Sequence, residues 1–365
     1  MESISILDVT QDARRNIEIC NSCRYCEGFC AVFPAIESRR SFDRETIQYL
    51  SNLCHNCTGC YHACQYTTPH VFDMNVPQAL TKVRQESYEE YVWPKALGKV
   101  FRKNGTVISM ITALAFSLVM LCGLLYVDAG SLFSVQQGPG AFYRIIPHGI
   151  MAGIAGAIFL FDILAIGLGV RNFWKAIGGR ASYFTNRAAV RSALHDAMTL
   201  KHLGSDGSGC NDEDSTFSNR RRRYHHLMMY GFLLCFAATS VATIYDYVFG
   251  WVAPYALTSL PVILGTAGGV GIIIGTAGLS WVKLRMHDGP SWKAVLGMDY
   301  AFLSLLFWVS LTGLALLALR DTSAMGVLLI VHLGVVAALF AALPFSKFIH
   351  IFFRLGALLK YHNEK

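Results

Sequence analysis

Eight of the eleven cysteines in this sequence lie in two identically spaced runs near the N-terminus. Each run has the spacing C-x2-C-x2-C-x3-C, and the second run begins 34 residues after the first. This spacing is typical of proteins that bind two [4Fe–4S] clusters, in which the fourth cysteine of each run is a ligand of the other cluster. The runs consist of Cys20, Cys23, Cys26 and Cys30, and of Cys54, Cys57, Cys60 and Cys64.

The crossed arrangement predicts which cysteines share a cluster. We expect the first cluster on Cys20, Cys23, Cys26 and Cys64, and the second cluster on Cys54, Cys57, Cys60 and Cys30. A zinc site would use pairs of cysteines with four ligands to one ion, and a final three-residue step does not suit that pattern. The N-terminus has no apolar leader, which indicates a reducing cytoplasmic location and disfavours disulfides.

The residues around the two runs favour helices. The proline that usually follows the fourth cysteine is missing, because Ala31 and Gln65 occupy those positions. The segment between the two runs has a sequence compatible with a helix over residues 39–53. We therefore expect an α-helical ferredoxin-like domain over residues 1–94.

The rest of the chain has the composition of a membrane protein. Hydrophobic residues make up 53% of the sequence and charged residues 15%, with a mean hydropathy of +0.40. Soluble domains carry about 25% charged residues. Six stretches in residues 95–365 are long enough to cross about 30 Å of hydrocarbon as helices. We place these spans near residues 106–127, 145–170, 225–249, 256–282, 297–319 and 323–349.

The basic residues predict the orientation of these spans. They concentrate at 95–105, in the long loop 171–224, at 283–296 and in the C-terminal tail, whereas the opposite loops contain Arg144 and Arg320. The positive-inside rule then places the N-terminal domain and loop 171–224 in the cytoplasm. The net charge of +7 is explained by this rule, and we expect no nucleic-acid partner. In the loop we predict a short amphipathic helix near 187–202 and a flexible linker at 204–219.

Histidines in or beside the spans could hold haem iron. His332 and His350 are separated by 18 residues, which on one continuous helix is five turns and about 27 Å, so both would face the same way. A haem with two axial histidines needs a second ligand at each depth. His148 should lie at the same depth in the membrane as His332, towards the outer face. Either His225 or His226 should lie at the same depth as His350, towards the inner face. We interpret His195, His202, His287 and His362 as solvated.

Two further features of the spans leave alternatives open. The fourth span is rich in glycine and includes the pair Gly271 and Gly275. These glycines indicate either close helix packing or the approach of a flat porphyrin to the backbone. Asp162 lies inside the second span, where it could bind a haem propionate, relay a proton to a quinone or pair with a neighbouring helix.

Two segments resemble helices of the respiratory nitrate reductase gamma subunit and its relatives. The segment HLGVVAALFAALPFSKFIH at 332–350 is similar to the last helix of that subunit, in which both histidines are haem b ligands. The segment YHHLMMYGFLLCF at 224–236 is similar to the other haem-bearing helix. A second histidine of that helix is absent, because Cys235 and Phe236 stand in its place. An outer haem therefore requires that His148 replace this missing ligand.

The whole chain resembles the tricarballylate utilisation protein B family, also called citrate utilisation protein B. The resemblance is carried by CNSCRYCEGFCAVFPAIESRR, LCHNCTGCYHACQYTTPHVFDMNVP and RQESYEEYVWP. It implies a protein of the bacterial inner membrane that reoxidises the reduced FAD of a partner, tricarballylate dehydrogenase, and passes the electrons to membrane quinone.

The sequence thus predicts an all-α protein with a cytoplasmic two-cluster domain and a six-helix transmembrane bundle that binds one or two haems b. Its predicted role is electron transfer from an FAD-dependent dehydrogenase to quinone, with no catalytic side chain of its own. One alternative is the electron-transfer subunit of a heterodisulfide or thiol reductase. Another is a transporter with a redox-sensing domain, which would have inverted repeats or broken helices near the membrane midplane.

Overall fold

The computed structural model describes residues 6–98, 104–127 and 129–365. These residues fold entirely into helices and loops, without a strand, and the one bridge joins Cys210 to Ser218. The all-α prediction is therefore confirmed. Residues 99–103 of the predicted basic segment at 95–105 lie outside the described residues.

Five helices build the N-terminal domain. The side chains of two residues cap the first turns of two of these helices. Asp43 accepts a hydrogen bond from the amide of Thr46 at 2.8 Å, and Asn75 accepts one from the amide of Gln78 at 3.2 Å. Such caps satisfy amides that have no partner within the helix. The helices are α1 (Ile6–Cys23), α2 (Val32–Glu37), α3 (Arg44–Leu53), α4 (Gly59–His62) and α5 (Val76–Tyr91).

Longer apolar helices build the rest of the chain. Five helical segments in the described part of the chain are long and apolar enough to cross a membrane: His148–Ala176, Arg220–Phe249, Leu260–Leu284, Lys293–Leu319 and Met325–Phe345. The 23-residue helix Asn104–Tyr126 lies at the first predicted span. We number the helices α6 (Asn104–Tyr126), α7 (Ala129–Leu132), α8 (His148–Ala176), α9 (Arg187–Met198), α10 (Arg220–Phe249), α11 (Leu260–Leu284), α12 (Leu296–Leu319), α13 (Met325–Ala342) and α14 (His350–Glu364).

Short 3-10 turns connect several of these helices. They lie at Ala141–Arg144, Ala181–Phe184, Ser205–Gly207, Lys293–Val295, Leu343–Phe345 and Lys347–Ile349. The last two turns separate α13 from α14. The prediction of one continuous helix over 323–349 is therefore wrong. Pro344 has no amide hydrogen to donate, which ends the helix here, and Ser346 then caps the next turn by accepting from the amide of Phe348 at 3.3 Å.

The C-terminal helix α14 completes the core of the N-terminal domain. Its residues Phe353, Ala357 and Leu358 are fully buried in the same apolar cluster as residues of α1, α3 and α5. The ring of Phe353 stacks on Phe173 at the end of α8, with centroids 4.2 Å apart and planes 5° from parallel. The end of α8 and helix α14 therefore share one core with the cysteine-bearing helices.

The glycine-rich helix α11 packs directly against α10. A Cβ atom on Gly268 would lie 2.7 Å from the carbonyl oxygen of Gly231, and one on Gly275 would lie 2.5 Å from the amide nitrogen of Met228. No larger residue fits these positions without moving the helices apart. The interpretation of these glycines as a close helix–helix contact is confirmed.

The loop between the second and third predicted spans is ordered around the N-terminal domain. Helix α9 confirms the predicted amphipathic helix. The segment at 204–219, predicted to be a flexible linker, instead packs against the cysteine-bearing loops, and Cys210 and Asn211 within it are buried. Arg221 of α10 pairs with Asp212 of this segment at 3.2 Å, and Arg222 donates to the carbonyl oxygen of Thr199, just before the segment, at 2.8 Å.

Candidate cluster and haem sites

The first cavity of the N-terminal domain has a volume of about 160 Å³ and is lined by cysteines of both runs. Cys20 and Cys23 lie in the last turn of α1. Arg24 then adopts a left-handed backbone with a φ of 55°, which turns the chain towards Cys26. Cys64 reaches the same cavity from the residues after α4. The cavity is lined by Cys20, Cys23, Cys26, Cys60 and Cys64.

A second, narrower cavity of about 20 Å³ lies beside the first, and Cys60 lines both. Its cysteines are Cys30, Cys54, Cys57 and Cys60. Asn56 and Thr58, on either side of Cys57, have left-handed backbones with φ values of 56° and 62°. Strained residues of this kind concentrate at functional sites. Each cavity thus contains the first three cysteines of one run and the fourth cysteine of the other, and Cys60 also borders the first cavity.

The chemistry of the thiols fits a cluster of iron ions. Burial, followed by the proximity of Cys26, Cys64 and Cys23, raises the pKa of Cys20 to about 12. The pKa of Cys26 is raised to about 12 by burial and by Cys64 and Cys23. Crowded thiols like these become thiolates together only when bound cations offset their charge. Among the described residues, no three His, Cys, Asp or Glu side chains are placed to hold a single metal ion. In a four-iron cluster each thiolate bonds a different iron.

Residues 199–219, which we call the covering segment, pack over Cys57 at the second cavity, and His202 of this segment lines the cavity. Ser205 Oγ lies 3.4 Å from Cys57 Sγ, and the amide of Asn211 donates to the carbonyl oxygen of Cys57 at 3.0 Å. Thr58 Oγ1 donates to the carbonyl oxygen of Asn211 at 2.5 Å. As a result Cys54 and Cys57 are buried, whereas Cys23 at the first cavity is exposed.

Two arginines reach the second cysteine run from helices that are distant in sequence. Arg84 of α5 donates to the carbonyl oxygen of Cys54 at 2.6 Å, and Arg354 of α14 donates to the same oxygen at 3.1 Å. Burial, and then the charge of Arg84, lower the pKa of Arg354 to about 10. Arg354 lies one helical turn after His350. This hydrogen bond therefore connects the second cavity to the helix that begins with His350.

His225 and His350 are brought together by the structure. Their ring centroids lie 6.3 Å apart, and their planes are nearly perpendicular at 88°. His350 Nδ1 donates to the carbonyl oxygen of Lys347, which leaves its Nε2 as the unprotonated nitrogen. The buried Nδ1 of His225 has no hydrogen-bond partner among the described residues. His226 instead lies beside the ring of Tyr230, at 5.8 Å. Of the two adjacent histidines, His225 is the one that faces His350.

The two histidines predicted at the outer level have different neighbours. His148 begins α8, where its Nε2 pairs with Asp246 at 3.1 Å and its ring contacts Tyr143 at 4.8 Å. His332 lies within α13, and its Nδ1 is 3.1 Å from Thr312 Oγ1. These contacts do not join the two rings to each other. Because α13 ends before His350, the five-turn spacing between His332 and His350 does not apply.

Several polar residues have environments that the sequence analysis did not anticipate. His202, interpreted as solvated, is buried, and its Nε2 lies 3.1 Å from Asp196. His362 is partly buried and bonds the same carboxylate at 2.9 Å, while His195 and His287 are exposed as expected. Asp162 is buried, and neither of its carboxylate oxygens has a hydrogen-bond partner among the described residues. Arg84 and Arg354 were missed because no spacing in the sequence relates them to Cys54.

Comparison with known proteins gives the family. The family model for citrate utilization protein B matches residues 101–365, and the model for its Fer4-like domain matches residues 13–90. Citrate utilization protein B of Escherichia coli is 46% identical over 369 positions, which cover 100% of this chain and 95% of that protein. No solved structure matches the chain. With both models and the full-length relative in agreement, the chain belongs to the citrate utilization protein B family.

Proposed function

We propose that this chain is a membrane electron carrier that reoxidises the reduced FAD of a partner dehydrogenase and delivers the electrons to quinone. The partner is of the tricarballylate dehydrogenase type, as the family resemblance implies. The single observation that carries the proposal is the arrangement of eight cysteines around two adjacent cavities. At the second cavity, the carbonyl oxygen of Cys54 accepts a hydrogen bond from Arg354, on the helix that begins with His350.

The residues of the chain have distinct roles in this proposal. Cys20, Cys23, Cys26 and Cys64 hold the first [4Fe–4S] cluster, and Cys54, Cys57, Cys60 and Cys30 hold the second. His225 and His350 hold haem b near the cytoplasmic side. His148 and His332 are the ligands that a second, outer haem would use. When bound, these groups accept and release single electrons, whereas reduced FAD supplies two.

The surroundings of the cysteines support an entry at the first cavity and an exit through the second. Cys23 is exposed, so a soluble partner can approach the first cavity closely. The covering segment excludes solvent from Cys57, and Arg354 links the carbonyl of Cys54 to the start of α14. We place the N-terminal domain on the cytoplasmic side of the bacterial inner membrane, with six spans in the bilayer, in agreement with the distribution of basic residues.

Metal and haem analysis of the purified protein tests this function. The expected content is about eight cluster irons with acid-labile sulfide, and one or two haems b. A reduced-minus-oxidised spectrum should show a haem α band, which a transporter with a redox-sensing domain would lack. Mixing with a reduced flavoprotein dehydrogenase and a water-soluble quinone should then give quinone reduction that depends on this chain. Four or fewer cluster irons would rule out the two-cluster function.

A further inference from the structure

Two positively charged side chains converge on one ligand of the second cavity. Arg84 is buried, and its Nη1 donates to the carbonyl oxygens of Ser51 and Cys54 at 3.0 and 2.6 Å. Arg354 is partly buried and donates to the Cys54 oxygen at 3.1 Å from the opposite helix. The two guanidinium groups thus meet at a single backbone oxygen of the second cysteine run.

Neither guanidinium has a carboxylate partner among the residues that the structure describes. The remaining side-chain bond of Arg84 goes to the neutral Thr81 Oγ1 at 2.8 Å, and the buried Nε of Arg354 has no hydrogen-bond partner there. Arg221, which is also partly buried, is paired with Asp212 at 3.2 Å. A buried charge without a counter-charge is costly. These two arginines therefore require an anion nearby.

The first cavity has no comparable pair of charges. Among the described residues, no arginine side chain donates to a cysteine that lines this cavity. Arg15 and Arg24, on α1 and directly after it, are exposed. Arg15 donates to the carbonyl oxygen of Phe72 at 2.8 Å and lies 3.6 Å from Asp12, while Arg24 donates to the carbonyl oxygen of Asn21 at 3.1 Å. The two cavities thus differ in buried positive charge as well as in exposure to solvent.

We propose that Arg84 and Arg354 are positioning residues that raise the reduction potential of the second cluster above that of the first. The inference rests on the proposed function, since it requires both clusters. A [4Fe–4S] cluster with four thiolates is an anion whose negative charge grows on reduction, so its potential depends on nearby charge and on solvent exposure. Burial by the covering segment alone would make the second cluster harder to reduce. The two guanidinium charges offset that burial and direct electrons from the exposed first cluster inwards.

Redox titration of the full-length protein, followed by electron paramagnetic resonance of both clusters, tests this inference. In Arg354→Gln the ratio of reduced to oxidised second cluster at a fixed potential should fall about tenfold, a shift of about 59 mV for one electron. The first cluster should not move. Arg354→Lys, which retains the charge, should keep most of the wild-type potential. Arg39→Gln is the matched control, since Arg39 pairs with Glu364 away from Cys54, and it should shift neither cluster.

The outcomes separate this inference from the proposed function. Wild-type protein that lacks the second cluster refutes the function itself. A second cluster that is present in Arg354→Gln at the wild-type potential overturns the inference while the function stands. If only the reduction potential of the haem shifted, Arg354 would act on the haem instead of the second cluster, and this result would also overturn the inference. Arg84→Gln removes the more deeply buried charge and should lower the potential in the same direction. Iron analysis of each variant verifies that both clusters are retained.

Discussion

The imidazole rings of His225 and His350 face each other with centroids 6.3 Å apart, although 125 positions separate them in the chain. An imidazole nitrogen lies about 2 Å from a bound metal ion and about 1.2 Å from its own ring centre, so two rings on opposite sides of one ion have centroids roughly 6.4 Å apart. The observed separation is compatible with the proposal that these two histidines would hold one iron ion. The carbonyl of Lys347 orients His350, as partners of metal-binding histidines commonly do.

The two adjacent histidines of α10 should therefore differ in their effect on the haem. If the chain binds haem as proposed, His225→Ala should remove the inner haem, because His350 alone would supply only one of the two proposed histidine ligands. His226→Ala should retain it, because His226 lies against Tyr230. Haem content and the reduced-minus-oxidised spectrum of the two purified variants provide the measurement. Equal haem loss in both variants would contradict the assignment.

The fourth cysteine of each run should belong to the cluster of the other run. Cys64→Ser should weaken the same cluster as Cys20→Ser, and Cys30→Ser the same cluster as Cys54→Ser, because these pairs line common cavities. Electron paramagnetic resonance and iron content of the four variants measure which cluster is lost. Cys235→Ala, in α10, is the control and should keep both clusters. If Cys64→Ser instead matched Cys54→Ser, the crossed arrangement would be wrong.

The contact between α10 and α11 should accommodate alanine in place of Gly265 but should be destabilised by alanine in place of Gly275. A Cβ atom at Gly275 would lie 2.5 Å from the amide nitrogen of Met228, whereas one at Gly265 would lie 3.6 Å from the Cβ of Ala238. Overpacking of a tight contact costs about 1–3 kcal/mol. Alanine in a helix is favoured over glycine by up to about 1 kcal/mol.

Gly275→Ala should therefore lower the Tm of the detergent-solubilised protein, and Gly265→Ala should leave it unchanged or raise it. Because α10 carries His225, the first variant should also lose haem more readily on heating. Absorbance of the haem during thermal unfolding gives both quantities at once. The same Tm for the two variants would mean that the helices do not approach as closely as described.

Asp196 should stabilise the fold above a defined pH. Burial acts to raise the pKa of Asp196. The hydrogen bond from His362 and the charge of His202 nevertheless hold this pKa below its usual value. A lowered folded-state pKa means that the carboxylate contributes stability above the unfolded pKa of about 3.9. That contribution is lost as the pH falls through the folded pKa. Hydrogen bonds to a charged group contribute about 1.5–3 kcal/mol.

Asp196→Asn should accordingly lower the Tm at pH 7, and the difference from wild type should shrink as the pH falls below about 4. Thermal unfolding of the two proteins at pH 7, 5 and 3 measures this difference. Asp288→Asn serves as the control, because Asp288 forms an exposed pair with Lys293 at 3.1 Å, and such pairs contribute little. A difference between Asp196→Asn and wild type that stays constant with pH would show that the carboxylate charge has no part.

The cysteine sets could be predicted from the sequence because the repeat of their spacing carries the information locally. The choice between His225 and His226 could not be predicted from the sequence, since it depends on how α10 is rotated about its axis relative to α14. Pro344 was a visible marker of the helix break, but the apolar run around it indicated continuity. The composition of residues 204–219 indicates a linker, and only the contacts of Arg221 and Asn211 show why the segment is ordered. Arg354 lies 300 positions from Cys54, beyond any local pattern.

The burial of α14 in the N-terminal core has a consequence for biogenesis. Phe353, Ala357 and Leu358 complete the packing of helices that precede them in the chain, yet they are synthesised only after the helices that lie between. The helices that carry the cysteines must therefore wait, with an incomplete core, until every intervening membrane helix has been made. During that interval Arg354 is also absent from the second cavity. The arrival of α14 then completes the packing of this domain.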